Sequence, residues 1–173
     1  MASVTTALMI VLGSLVAAQP ANAYTTTGCK WPTNNLSINI SYVNGNFRTA
    51  INQARDNYNS ATDVNLTTTD SSGPTFTAAN SNYGATGWEG QASWTCLFGT
   101  TTAVQARLNQ YYLSGTEPVT RLKVVWAHEL GHGLGLGHVS TVARVMYTSA
   151  SAAYAAGVTG LTFDEINGIN ALY

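Results

Sequence analysis

Charged residues are scarce in this 173-residue chain, and their scarcity excludes several classes of protein. There are 7 Lys and Arg against 8 Asp and Glu, so charged residues make up 9% of the chain and the formal net charge is −1. Without a basic patch or a run of Lys or Arg, the sequence has no electrostatic footprint for nucleic acid or for an acidic membrane surface. Apolar residues, at 45%, are too frequent for a disordered chain. The length predicts one domain.

Long hydrophobic runs are also missing. The apolar run Ala7 to Ala18 spans 12 residues, too few to cross a bilayer as a helix. Pro20 and the small-residue triplet Ala21-Asn22-Ala23 follow it. This order predicts a secretory signal peptide over residues 1–23, cut after Ala23, with a buried core helix as the alternative. We therefore expect a secreted, extracellular domain over residues 24–173, with no membrane contact once the signal is removed.

Cysteine is nearly absent as well, with Cys29 and Cys96 the only two. An even number in an exported protein predicts one disulfide. The alternative is a free thiol that binds a metal ion, and the sequence by itself leaves both possibilities open.

Two periodicities indicate regular structure in the first half of the mature chain. Residues 36–43 alternate apolar and polar side chains, which predicts a half-buried strand. Residues 46–61 have helical spacing of apolar side chains and predict an amphipathic helix. A second strand is expected from Val64, and residues 70–93 are expected to be loops with one or two short strands.

The second half is expected to contain two strands and two helices. Residues 92–98 and 102–112 are candidate strands, and residues 120–133 predict a helix that ends in a glycine-rich segment. Near the C-terminus, Thr162 and Glu165 have the spacing of a capping box, flanked by a hydrophobic staple of Leu161 and Ile166. Strands and helices in this order indicate an α+β or α/β fold in one domain.

All 3 histidines of the chain lie in one motif, H-E-x-x-H-x-x-G-x-x-H, which runs from His128 to His138. His128 and His132 are four residues apart, so on a helix both project from one face. Gly135 permits a sharp turn that can bring His138 back as a third ligand. Three histidine nitrogens with one open position are typical of a catalytic zinc site.

The residue beside the first histidine completes the chemistry. Zinc lowers the pKa of a bound water towards neutrality and polarises a scissile carbonyl. Glu129 can take the proton of that water as a general base and pass it to the leaving amine. The pattern therefore predicts hydrolysis of an amide bond, with three histidines that bind no metal as the alternative interpretation.

The motif resembles that of the metzincin clan of zinc metallopeptidases, and further residues resemble the matrixins (matrix metalloproteinase-like) within it. Val145-Met146-Tyr147 is similar to the matrixin Met-turn, and residues 161–173 are similar to the C-terminal helix of the matrixin catalytic domain. The resemblance implies an α+β, zincin-like fold. It has a twisted, mostly parallel sheet with an antiparallel edge strand, an active-site helix and a small C-terminal subdomain.

The resemblance also implies roles for individual residues. His128, His132 and His138 would be the zinc ligands, Glu129 the base, and Met146 a hydrophobic floor beneath the metal. Matrixins carry a second, structural zinc on further histidines, and because none remain here we expect one zinc ion. Their calcium sites use clusters of Asp, and with only two acidic residues between residues 64 and 112 calcium stays open.

The sequence thus predicts a secreted zinc-dependent endopeptidase, with residues 24–173 as its catalytic domain and protein or peptide substrates. We expect a monomer, and because residues 24–173 include no matrixin-like pro-segment, latency would either come from a separate proteinaceous inhibitor or not exist. The helix after Leu122 and residues 146–154 are expected to border the pocket for the substrate residue that follows the scissile bond. The alternatives are a secreted zinc-binding module without peptidase activity and a zinc hydrolase of a non-peptide amide or ester.

Overall fold

The computed structural model describes residues 24–173, so the predicted signal peptide over residues 1–23 lies outside the described residues. Strands and helices are mixed along this range, with four consecutive strands in its middle. In chain order the elements are β1 (Thr25–Thr26), β2 (Asn35–Tyr42), α1 (Gly45–Ala61), β3 (Asn65–Thr69), β4 (Phe76–Ser81), β5 (Gly90–Leu97), β6 (Thr100–Asn109), α2 (Val119–Gly133), β7 (Leu136–Gly137), α3 (Ala150–Ala155) and α4 (Phe163–Leu172). No helix within residues 24–173 has the length and apolar character needed to cross a membrane.

Five strands form the main sheet in the order β3-β2-β4-β6-β5. The pairs β2-β3, β2-β4 and β4-β6 are parallel, whereas β5 runs antiparallel to β6 and forms one edge. The expectation of a mostly parallel sheet with an antiparallel edge strand is confirmed. Parallel neighbours need crossover connections, and α1 supplies the one between β2 and β3.

Helix α1 begins where the predicted strand ends. Gly45 has a φ of 54°, a backbone conformation that glycine adopts at little cost, and the chain turns there from β2 into the helix. The apolar positions of the sequence pattern are the buried ones: Phe47, Ala50, Ile51, Ala54 and Tyr58. The helix therefore covers one face of the sheet with the stripe that the periodicity predicted.

Helix α2 lies very close to the sheet because its last residue has no side chain. A Cβ atom added at Gly133 would be 2.5 Å from Cζ of Phe76 on β4 and 3.0 Å from Cγ1 of Val104 on β6. About two turns earlier, on nearly the same face of α2, the indole Nε1 of Trp126 donates a hydrogen bond of 3.0 Å to the carbonyl of Phe47 on α1. The helix that carries most of the histidine motif thus packs against both the sheet and α1.

Three features depart from the sequence-based expectation. Helix α3 and the small sheet formed by β1 and β7 were not predicted, and β6 ends at Asn109 rather than at residue 112. The side-chain Oδ1 of Asn109 accepts the amide of Tyr111 at 3.0 Å, and its carbonyl accepts the amide of Leu113 at 3.0 Å. These bonds turn the chain out of the sheet and end the strand early.

The C-terminal helix has the predicted cap. Glu165 accepts from the backbone amide of Thr162 at 2.9 Å, and the full capping box is present at the start of α4. The second oxygen of Glu165 accepts the backbone amide of Met146 at 3.1 Å. One buried carboxylate therefore caps α4 and attaches it to the Met146 loop.

Cys29 and Cys96 form a disulfide with a Cα–Cα separation of 6.0 Å, which confirms the predicted bond. It joins the N-terminal segment to the last part of β5, the edge strand. This covalent bond holds β5, the edge strand of the main sheet, next to the N-terminal segment that follows β1.

Replacing both cysteines by serine is expected to lower the free energy of unfolding by about 4 kcal/mol, because the bond closes a loop of 67 residues. Urea unfolding of the double variant and of the oxidised parent measures the difference. The parent treated with a reductant serves as the control and should match the variant. Equal unfolding midpoints for oxidised parent and variant would contradict the prediction.

Candidate metal centre and cleft

The structure brings the three histidines of the motif together. Their Nε2 atoms are 3.1 Å apart between His128 and His132, 3.2 Å between His128 and His138, and 3.0 Å between His132 and His138. His128 is buried, His132 is half-buried and His138 is exposed, so the cluster opens towards solvent on one side.

The turn that returns His138 to the helix depends on a glycine. Gly135 has a φ of 106°, and a Cβ atom there would overlap the carbonyl oxygen of Cys29. The N-terminal segment then holds the returning chain. Thr27 donates its amide to the carbonyl of Gly135 at 2.8 Å, and the hydroxyl of Thr25 donates to the carbonyl of His138 at 2.7 Å. The backbone of the third histidine is thus fixed by residues more than a hundred positions earlier.

The tautomers of two of the imidazoles follow from their partners. Nδ1 of His128 lies 2.7 Å from the carbonyl oxygen of Val145, and Nδ1 of His132 lies 2.9 Å from that of Leu136. A carbonyl oxygen only accepts, so each Nδ1 carries the proton and donates. Burial lowers the pKa of His128 to about 3 and that of His132 to about 4, so both rings are neutral near pH 7. Their Nε2 lone pairs therefore point at one another.

This arrangement fits a metal ion. Lone pairs about 3 Å apart repel unless a cation lies between them, and the Nδ1 bonds to backbone carbonyls are the outer contacts typical of metal-binding histidines. Tetrahedral zinc with Zn–N bonds of 2.0–2.1 Å places its nitrogen ligands about 3.3–3.4 Å apart, close to the separations found here. Zinc on three protein nitrogens retains a fourth position for water or substrate.

Met146 packs against the helix face between the two helical histidines. A Cβ atom added at Gly131 would be 2.5 Å from Sδ of Met146 and 2.9 Å from the hydroxyl oxygen of Tyr58. That hydroxyl donates a 2.7 Å hydrogen bond to the carbonyl of Ala127. Gly131, at one of the x positions of the motif, therefore admits two side chains, and the buried methionine lies where the resemblance implied a hydrophobic floor.

Glu129 lies in the same cleft and is only 3% exposed. Burial raises the pKa of its carboxyl group above the ordinary value, and the negative charge of Glu89 adds to the rise. Its neighbour in the motif, His128, faces the other two histidines. The carboxylate of Glu129 is therefore adjacent to the histidine cluster but is not one of its ligand groups.

The cleft has a volume of roughly 740 Å³ and runs between β5 and the segment after the Met146 loop. One side is formed by residues 87–92 and Trp94, and the other by residues 148–150. The indole of Trp94 stacks on the imidazole of His132 with ring centroids 6.3 Å apart. The three histidines and Glu129 form its floor.

A polar cluster that sequence reasoning missed forms one wall of the cleft. Ser151 donates its amide to Oε1 of Glu89 at 2.8 Å, and its hydroxyl lies 3.1 Å from Nη2 of Arg121. Nη1 of Arg121 also pairs with Glu117 at 2.8 Å. These contacts join the start of β5 to α2 and α3. Only the pair of Glu117 and Arg121, four residues apart, has a local sequence signal. No local pattern reveals the contacts with Glu89 and Ser151, because they come from distant parts of the chain.

Comparison with known proteins gives two matches. The matrixin family model matches residues 38–173 of the chain. A stretch of 65 residues, 38% of the chain, is 38% identical to matrilysin of Rattus norvegicus. This stretch covers 24% of the rat protein, so the chain spans about a quarter of the length of the curated relative that it matches.

We expect the metal-free protein to bind one zinc ion, and His132→Ala to weaken zinc binding by 100-fold or more. Loss of a ligand should exceed the 10–100-fold typical of losing an outer contact. Competition with a chromophoric chelator measures both values. Asp70→Asn is the control, since this exposed carboxylate pairs with Arg48 outside the cleft. Unchanged affinity in His132→Ala would contradict the assignment.

Proposed function

The chain belongs to the matrixin family, and on that premise we propose that it is a secreted zinc-dependent endopeptidase. One observation carries the proposal: three imidazoles converge beside a buried carboxylate at the floor of an open cleft. The three ring nitrogens suit a zinc ion with one free position, and the carboxylate is near it without being a ligand.

Each residue has a defined task in this proposal. His128, His132 and His138 hold the ion through Nε2, and the carbonyls of Val145 and Leu136 orient the first two rings. When bound, zinc activates water near neutral pH and polarises the scissile carbonyl. Glu129 accepts a proton from the attacking water and delivers it to the leaving amine as the C–N bond breaks.

The edge strand supports a peptide as the substrate. Among the described residues β5 pairs on one side only, with β6, so its other edge offers backbone donors and acceptors along the cleft. An extended peptide can add to such an edge as a further strand. Its side chains then alternate between the cleft and solvent, and the scissile carbonyl is brought over the histidine cluster.

Secretion is part of the proposal. Residues 1–23 have the pattern of a cleaved signal peptide, and the bond between Cys29 and Cys96 suits an oxidising compartment outside the cytosol. We propose that the active form is a monomer that begins at Tyr24, and that any latency comes from a separate proteinaceous inhibitor.

Glu129→Gln is expected to lower kcat for casein cleavage by at least 100-fold while the protein still binds one zinc ion, because the amide cannot accept the proton. A chelator should abolish activity of the parent, and added zinc should restore it. Asp56→Asn, which changes an exposed carboxylate on α1, is the matched control and should keep parent activity.

Three results would overturn the function. Full activity in Glu129→Gln, or activity that resists the chelator, would exclude the proposed chemistry. Zinc bound at one per chain without cleavage of any denatured protein would favour the zinc-binding module instead.

Export from a secreting host should yield a protein whose first residue is Tyr24. N-terminal sequencing and intact mass of the medium fraction test this directly. Ala23→Leu, which removes the small residue before the cut, should retain the unprocessed chain in the cells. A secreted product that still carries residues 1–23 would contradict the signal assignment.

A further inference from the structure

Gly90, the first residue of β5, lies directly against the carboxylate of Glu129. A Cβ atom added at Gly90 would be 2.9 Å from Cδ of Glu129 and still closer to its Oε1. It would also be 3.0 Å from Cγ1 of Val125, one turn earlier on α2. The space that a side chain at position 90 would occupy is therefore filled by the carboxylate of Glu129.

The backbone at this position does not require glycine. Gly84 and Gly87, just before it, have φ values of 78° and 85°, in the region that favours glycine, whereas φ of Gly90 is negative. Gly90 instead pairs with Leu108 as an ordinary residue of the β5-β6 ladder. Since its conformation is open to any L-residue, the contact with Glu129 is the reason for having no side chain there.

The size of side chains along β5 follows the shape of the floor beneath it. Three residues at every second position of β5 lie on one face of the strand and line the cleft: Gly90, Ala92 and Trp94. The residue over Glu129 has no side chain, the next has a methyl group, and the third places an indole on His132. Of these three positions, only Gly90, which lies over the carboxylate of Glu129, has no side chain.

Within residues 24–173, it is packing that restrains the carboxylate. No side-chain hydrogen bond or salt bridge of these residues reaches the carboxylate of Glu129, a residue that lines the cleft and is 3% exposed. By contrast, Glu89 is held by Ser151 and Glu165 by Met146 and Thr162. A buried carboxylate without fixed donors takes its position from the walls around it.

We propose that Gly90 is a positioning residue for Glu129: because it has no side chain, it leaves a slot in which the carboxylate lies beside the three histidines. The inference rests on the proposed role of Glu129 as the general base. Any side chain at position 90 pushes the carboxylate out of that slot and away from the water that it deprotonates.

Gly90→Ala is expected to lower kcat for casein cleavage about 100-fold, since a base displaced by about 1 Å loses that much. KM should stay within threefold, because the backbone edge that binds the peptide is unchanged, and zinc should remain at one per chain. Gly115→Ala is the matched control: a Cβ atom there meets nothing within 4 Å, and its φ is also negative. A Gly90→Ala enzyme with kcat within threefold of the parent would overturn the inference.

A crystal structure of Gly90→Ala supplies a readout besides activity. We expect the Glu129 carboxylate to move by about 1 Å or more relative to the parent, with the histidines in place. An unmoved carboxylate would overturn the inference even if kcat fell. If Glu129→Gln proved fully active, the proposed function would fail while the displacement could still be observed, so the two failures are distinguishable.

A second variant keeps the test decisive if Gly90→Ala does not fold. Gly90→Ala combined with Glu129→Ala leaves the slot empty, so the double variant should fold and melt within about 3 °C of Glu129→Ala alone. A double variant that is as unstable as the single one would show that the new methyl group clashes elsewhere, which would overturn the inference.

Discussion

The convergence of three imidazole nitrogens on one point is the constraint on which the rest of the site depends. Nδ1 of His128 and of His132 donates to a backbone carbonyl, so their Nε2 atoms face each other and that of His138 at 3.0–3.2 Å. Such an arrangement suits a bound cation, and the fold holds it through contacts made outside the three rings. Among them are the bond from Thr25 to the backbone of His138 and the one from Met146 to Glu165.

Glycines decide how closely these parts approach. Gly133 allows α2 to lie on the sheet, Gly131 admits Met146 and Tyr58, and Gly90 admits the carboxylate of Glu129. In each case a methyl group would meet a side-chain atom at less than 3 Å. The histidine site is thus closely packed because these three positions have no side chain. At Gly90, the need for glycine follows from the contact with Glu129 and not from matrixin membership.

The elements with local signals were predictable. The strand at residues 36–43, the helix at residues 46–61 and the capping box of Thr162 and Glu165 follow from periodicity or from a fixed short spacing, and each forms within a residue or so of its expected place. The pattern of the motif was equally local. By contrast, β1 and β7 have two residues each and no periodicity, and they exist only because the N-terminal segment meets the turn that follows α2.

The sequence by itself determined that three histidines could share a zinc ion, because an i, i+4 pair of histidines on a helix, a glycine turn and a third histidine can be recognised within eleven residues. Only the tertiary structure decided how that site is supported. Residues from distant parts of the chain meet in three places: the contact of His128 with Val145, the cluster of Glu89, Arg121 and Ser151, and the slot above Glu129. Local patterns report local geometry, whereas contacts of this kind depend on how α2, β5 and the N-terminal segment pack together.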